Sequence, residues 1–271
     1  MKVPIVYSAH HASANFSDYS DRVALSELAR KKFSDYGSDT SVPRNGIATF
    51  IAQTSRALGD LNRSPDNPKL FPTHDFARPH PNKIWQDGKY LSEEEKVILK
   101  KNIHDVYHNN IIASLKEINK RVLVVAWDNT AQYDIGVNDS GKTVEMPSII
   151  LSNCGDEDRY DSENQEVSCR PETLEKLKKI FEKMLIANSI DGRVCTNLVF
   201  KGGYISEFYN TRRHREDLQT LGIAHEVESL QVEYSTVITH DQKTLKPIKG
   251  RIDLLRSIAE EAFTHLVKDW Q

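Results

Sequence analysis

The chain has 271 residues, of which 28% are charged and 38% hydrophobic, and its formal net charge is −3. These values describe an ordinary folded protein and exclude a disordered one. They also exclude a surface built to neutralise phosphate backbones, so nucleic acid is not an expected partner.

In chain order, residues 3–8 (VPIVYS) read as a buried strand. The apolar run there is too short for a signal peptide or a membrane span, so a cytoplasmic protein without a membrane partner is expected. Residues 22–33 carry a helical pattern through Val23, Leu25, Leu28 and Ala29. Residues 34–46 are punctuated as loop by Asp35, Gly37, Asp39, Pro43 and Gly46. Residues 47–53 and 56–61 read as two short strands or one bent strand. Residues 64–91 are proline-rich and without period, and a loop of that length is often functional. Ser92 and Glu95 form a capping box that opens a helix reaching about Lys120.

Residues 121–127 (RVLVVAW) are continuously apolar, the signature of a central strand buried on both faces. Residues 148–151 read as a further strand. Pro171 opens a helix whose stripe runs through Leu174, Leu177, Ile180, Phe181, Met184 and Leu185. Residues 226–234 alternate weakly as a strand, and a last helix runs from about Gly250 to Lys268. Cys154, Cys169 and Cys195 form no disulfide framework and no CxxC zinc pair. Strands alternating with helices give an α/β sandwich with a mostly parallel sheet, of one large domain or two small ones.

Ligands of such sheets bind at the carboxyl ends of strands. His10 and His11 follow the first strand, Asp128 ends the central one and Glu233 ends a late one. A histidine after a buried strand is a metal ligand or a polar loop residue. Asp35 and Asp39 offer oxygen ligands or make Asx turns. Arg56, Asn62 and Arg63 form either a carboxylate-binding fork, with Asp60 orienting an arginine from behind, or a surface charge cluster. Lys201, Gly202, Gly203 and Tyr204 let backbone approach a ligand beside a positive charge, or make a plain turn. Gln231 and Glu233 share a strand face, and a Glu aimed into a metal site is a natural general base.

Taken in order, these segments resemble the N-formylglutamate amidohydrolase family over roughly residues 5–240. SRALGDLNR is similar to its SR-x-x-x-DLNR, HASAN to its first histidine segment, and DVYHNN (with Tyr107 and His108) to its PYH segment. MPSIIL is similar to its RPDIVLG strand, Asn197 with FKGGY to N-x-x-FKGG, and LQVE to its QxE. The resemblance implies one domain over residues 1–271. Its fold would be a three-layer α/β sandwich with a central mixed, mostly parallel sheet, similar to zinc-dependent exopeptidases.

It further implies one divalent metal, zinc, and a small-molecule substrate with a carboxylate and an amide, such as an N-formyl- or N-acyl-amino acid. By position, His11 matches the first metal histidine and Asp39 or Asp35 the carboxylate ligand, with Asp39 preferred. Arg56 matches the oxyanion arginine, Asn62 and Arg63 the carboxylate grip, and Glu233 the general base; Lys201, Gly202, Tyr204 and Gln231 are assigned to substrate. Asp128 stands where the family has its third metal ligand, a histidine, and Glu228 where a histidine often precedes QxE. Oxygen-rich ligation shifts preference toward harder metals. The alternatives are an amidase or metallopeptidase with residues 64–91 shaping a wider cleft, and a silent carboxylate-binding protein.

Overall fold

In a computed structural model of the chain, the apolar run at residues 121–127 lies at the centre of a six-stranded sheet of order β2-β1-β3-β8-β6-β7. The structure describes residues 2–75, 81–130, 135–137, 141–156 and 166–270. The strands are β1 Val3–Ala9, β2 Gly46–Ile51, β3 Val122–Thr130, β4 Ile135–Val137, β5 Thr143–Glu145, β6 Ile149–Ser152, β7 Val194–Thr196 and β8 Val227–Ser235. β4 and β5 pair with each other as a separate hairpin. In the main sheet every pairing is parallel except β6 with β8. β3 is buried along its whole length, as expected of a strand covered on both faces.

The helices are α1 Glu27–Phe33, α2 Ser38–Ser41, α3 Glu93–Leu99, α4 Val106–Lys116, α5 Pro171–Ala187, α6 Tyr204–Phe208, α7 Arg215–Thr220 and α8 Arg251–Leu266. α5 and α8 cover one face: Leu177, Phe181 and Phe263 belong to one core with Tyr7, Val125, Trp127 and Val232. α4 and α6 cover the other, where Ile111, Leu115, Ile205 and Tyr209 join Val6, Val124 and Ala126. Each such side chain contributes about 1.5–3 kcal/mol by leaving water, which is why alternation along β3 fixes both layers at once. The result is a three-layer α/β sandwich around a mixed, mostly parallel sheet. A third core of Phe16, Val23, Leu58, Ile84, Trp85 and Leu99 sits to one side.

Local signals set the element boundaries. The Ser92–Glu95 capping box is present, and Pro171 opens α5. The helix expected over 22–33 begins only at Glu27, because Ser26 caps it by accepting from Ala29 N–H and Val23 bridges to Trp85 instead. The second strand expected over 56–61 is a 3-10 turn at Arg56–Leu58, capped by Ser55. The long helix is not uniform: a π-helical turn at Lys100–Asp105 joins α3 to α4. In residues 64–91, Ile84 and Trp85 are fully buried, so that segment supports its own core; residues 76–80 lie outside the described ones. No described helix is long and apolar enough to cross a membrane.

Candidate active site at the carboxyl edge of the sheet

Strand register places the acids. Ser8 of β1 pairs with Ala126 of β3, and Ala126 with Gln231 of β8. Two residues further along, on the same face, Asp128 pairs with Glu233, and His10 has just left β1. Side-chain period two therefore aims His10, Asp128 and Glu233 to the α4 side of the carboxyl edge.

His10 is fully buried. Its Nδ1 lies 3.2 Å from the Ser8 carbonyl, which fixes the tautomer with the proton on Nδ1. The lone pair of Nε2 then faces Asp128, whose Oδ2 is 2.8 Å away. That approach is close but not aligned: Nε2 of His10 and Oδ1 of Asp128 are both buried with no hydrogen-bond partner among the described residues. His11 sits beside it, ring centroids 4.3 Å apart. Its Nε2 donates to Asp60 Oδ1 at 2.7 Å, while Nδ1 is 3.0 Å from Asp35 Oδ2 and 3.4 Å from Asp128 Oδ1. One ligand atom each from His10, His11 and Asp128 lie within 4.8 Å of one another.

The carboxyls divide by environment. Burial opposes the charge of Asp128, yet His10 and His11 override it and hold its carboxyl well below the usual range. Burial first, then the charges of Asp128 and Asp35, push Glu233 well above it. Asp35 rises to about 6 by burial and by Asp128. His11 loses proton affinity to burial and to Arg56 but regains more from Asp128 and Asp60, so its imidazole titrates well above normal. Gln231 donates from Nε2 to Glu233 Oε1 at 2.5 Å.

Asp60 ties this cluster to the neighbouring pocket. It is completely buried; its Oδ2 accepts from Nε and Nη2 of Arg56 at 3.2 and 2.7 Å. Its Oδ1 accepts from His11 and also from the Asn62 backbone N–H at 3.0 Å. Asn62 and Arg63 then open onto a cavity of about 300 Å³ lined also by Lys201, Gly202, Tyr204 and Arg213. Oδ1 of Asn62 accepts from Ile205 N–H at 3.0 Å, so its Nδ2 is the group left to donate. Gly203 is required here, since a Cβ would meet the Asn62 amide at 2.3 Å. Lys201 pairs with Asp156 at 2.8 Å on the same rim.

The structure thus gathers His11, Asp35, Asp128 and Glu233 in one cluster, with Arg56 held on it through Asp60 and Gln231 beside Glu233. It gathers Asn62, Arg63, Lys201, Gly202 and Tyr204 in the adjoining pocket. Asp39 is the exception: the acid against His11 is Asp35, not Asp39. Asp35 has a left-handed backbone (φ 45°) that turns its carboxyl inward, whereas Asp39 is in α2 with its carbonyl bound by Arg44. Glu228 also departs from expectation. It lies five residues before Glu233, at the other end of β8, where it meets Arg121 at 3.0 Å and Arg170 at 3.3 Å. Its exchange for histidine therefore does not touch the cluster. His10, a candidate by its place after β1 but outside the ligand set that the resemblance implies, lies on the Asp128 face, in keeping with its even spacing from Ser8 along β1. The His11 contact of Asp60 had no local signal.

The N-formylglutamate amidohydrolase family model matches residues 3–224. No curated protein matches the chain. Among solved structures, the chain is similar to an N-formylglutamate amidohydrolase from Ralstonia eutropha JMP134, with a TM-score of 0.65 at 14% identity, over 99% of this chain and 94% of that one. It is also similar to a gene product of Agrobacterium tumefaciens, with a TM-score of 0.58 at 16% identity, over 98% and 91% of the two chains. The fold is shared at these identities. With 222 residues (3 through 224) of 271 inside the family model, the chain belongs to the N-formylglutamate amidohydrolase family, hydrolases of carbon–nitrogen bonds other than peptide bonds.

Proposed function

We propose that the protein is a metal-dependent amidohydrolase that cleaves the amide of an N-formyl- or N-acyl-amino acid such as N-formylglutamate. The observation that carries this reading is two buried ligand atoms of one cluster, His10 Nε2 and Asp128 Oδ1, each with no hydrogen-bond partner among the described residues. Burying such atoms unsatisfied costs about 1–3 kcal/mol each, and a shared cation removes the cost. His10, His11 and Asp128 would hold the ion, with Asp35 adjacent. Two imidazole nitrogens and a carboxylate oxygen form a set that suits zinc. When bound, such an ion polarises the amide carbonyl and acidifies water.

The chain's own groups do the rest. Glu233, made more basic by burial, takes the proton of the attacking water and returns it to the leaving amine nitrogen. The products are a carboxylic acid, formate for an N-formyl substrate, and a free amine. Arg56, locked by Asp60, offers positive charge to the oxyanion. Asn62 Nδ2 and Arg63 grip the substrate carboxylate, and Lys201 adds charge at the rim. A cavity of about 300 Å³ suits one acyl-amino acid better than a peptide or cell-wall fragment.

We read residues 1–271 as one catalytic domain, because the site draws on residues from His10 to Glu233 across one sheet. We place it in the cytoplasm, which suits Cys154, Cys169 and Cys195 as thiols. The test is metal analysis of the purified protein together with formate release from N-formyl-L-glutamate. One equivalent of divalent ion, and hydrolysis abolished by chelation and by His10→Ala, is the expected result. A metal-free protein that binds carboxylates and hydrolyses nothing would instead be the silent binding protein.

A further inference from the structure

The carboxylate grip is held from behind by two imidazoles that do not line the pocket. His104 is in the π-helical turn Lys100–Asp105, and His108 is in the first turn of α4. Both are buried, with ring centroids 4.3 Å apart. His104 Nε2 donates to the Arg63 carbonyl at 2.9 Å. His108 Nε2 donates to the Leu61 carbonyl at 3.1 Å, and its Nδ1 accepts from Tyr209 Oη at 2.7 Å. These two carbonyls flank Asn62. From the start of α6, Tyr204 N–H donates to the Asn62 carbonyl at 3.2 Å and Ile205 N–H to its side-chain Oδ1 at 3.0 Å. Tyr204, a wall of the pocket, also rests edge-on against the His108 ring, centroids 5.2 Å apart.

We infer that His104 and His108 are positioning residues that aim Asn62 and Arg63 at the substrate carboxylate. The inference rests on the functional reading above. Two features separate it from ordinary helix packing. Each imidazole spends its Nε2 proton on a carbonyl of residues 61–63, and on no other element. The wide turn that carries His104 is a rare distortion, and such turns gather at functional sites. An apolar residue at either position would fill the space and leave a carbonyl of the fork without its donor. The fork would then sample other directions while the cluster at His10, His11 and Glu233 stayed in place.

The experiment compares wild type, His104→Ala and His104→Gln on N-formyl-L-glutamate and on its α-carboxamide, together with calorimetric binding of L-glutamate. The glutamine amide keeps a donor able to reach the Arg63 carbonyl. His104→Ala is expected to raise KM and weaken glutamate binding about three- to tenfold, with kcat within about twofold of wild type. His104→Gln restores both, and the carboxamide is handled alike by all three proteins. Should the alanine variant fail to fold, His104→Asn, whose amide is too short for Arg63, takes its place. An equal fall in turnover on both substrates, or an unchanged KM in a folded alanine variant of an active wild type, would overturn the positioning role alone. A wild type that neither binds glutamate nor releases formate would overturn the functional reading and this role together.

Discussion

Asp128 and Glu233 are register partners on β3 and β8, yet their carboxyls are driven in opposite directions. Like charges opposite one another on paired strands repel. Here the neighbouring histidines keep the charge on Asp128, and burial beside that charge raises the proton affinity of Glu233. Environments that split two acids in this way mark different roles: a permanent anion to hold a cation, and a group that exchanges a proton.

Glu233→Gln removes the proton acceptor and keeps the shape. With N-formyl-L-glutamate as substrate, kcat is expected to fall by about 10²–10⁴-fold, while metal content stays at the wild-type level. Steady-state kinetics with metal analysis on the same preparation checks this. A variant with wild-type turnover would remove Glu233 from the chemistry.

Asp60→Asn breaks a carboxylate that serves His11, Arg56 and the Asn62 N–H together. A carboxylate that orients a ligating imidazole typically sustains a 10–100-fold gain in metal affinity, so the variant is expected to bind zinc weaker by about that factor. Competition against a chromophoric chelator measures it. Unchanged affinity would mean that His11 is oriented by Asp35 alone.

Glu228→Gln is expected to affect stability and spare the site. Glu228 is fully buried between Arg121 and Arg170, and five residues of strand put it about 16 Å from Glu233. Losing its charge while Arg121 and Arg170 stay part-exposed costs about 1–3 kcal/mol in urea unfolding. Metal content and kcat are expected to match wild type. A loss of metal in this variant would contradict the placement of Glu228 outside the cluster.

His108 makes stability fall with acid. Burial, then His104, drive its imidazole down to about 3, against an ordinary value of 6.5. The unfolded chain therefore binds a proton that the folded chain refuses between those values. The stability present above about pH 6.5 is lost as pH falls toward 3, with a slope of up to about 1.4 kcal/mol per pH unit from this group. Urea unfolding of wild type and His108→Gln at several pH values isolates it. Identical slopes in the two proteins would show that His108 is protonated in the fold.

The sequence determined the long elements β1, β3, β8, α5 and α8 and their order, because hydrophobic period and Pro171 are local signals that the chain obeys wherever it goes, as the Ser92 capping box does at the start of α3; the short α2, β7, α6 and α7 and the 3-10 turn at Arg56–Leu58 did not show in it. It also determined the residues at the strand ends, since a parallel sheet delivers the carboxyl ends of β1, β3 and β8 to one edge. Tertiary structure alone decided which acid reaches His11: the left-handed turn at Asp35 and the short α2 after it aim neighbouring carboxyls apart, and no spacing rule records a backbone angle. It alone joined Asp60 to a histidine 49 positions away, and set Glu228 among arginines instead of beside Glu233. It alone brought a wide helical turn behind Asn62 and Arg63. These are contacts between segments, fixed by how layers pack around the sheet, and a one-dimensional pattern carries no distance between them.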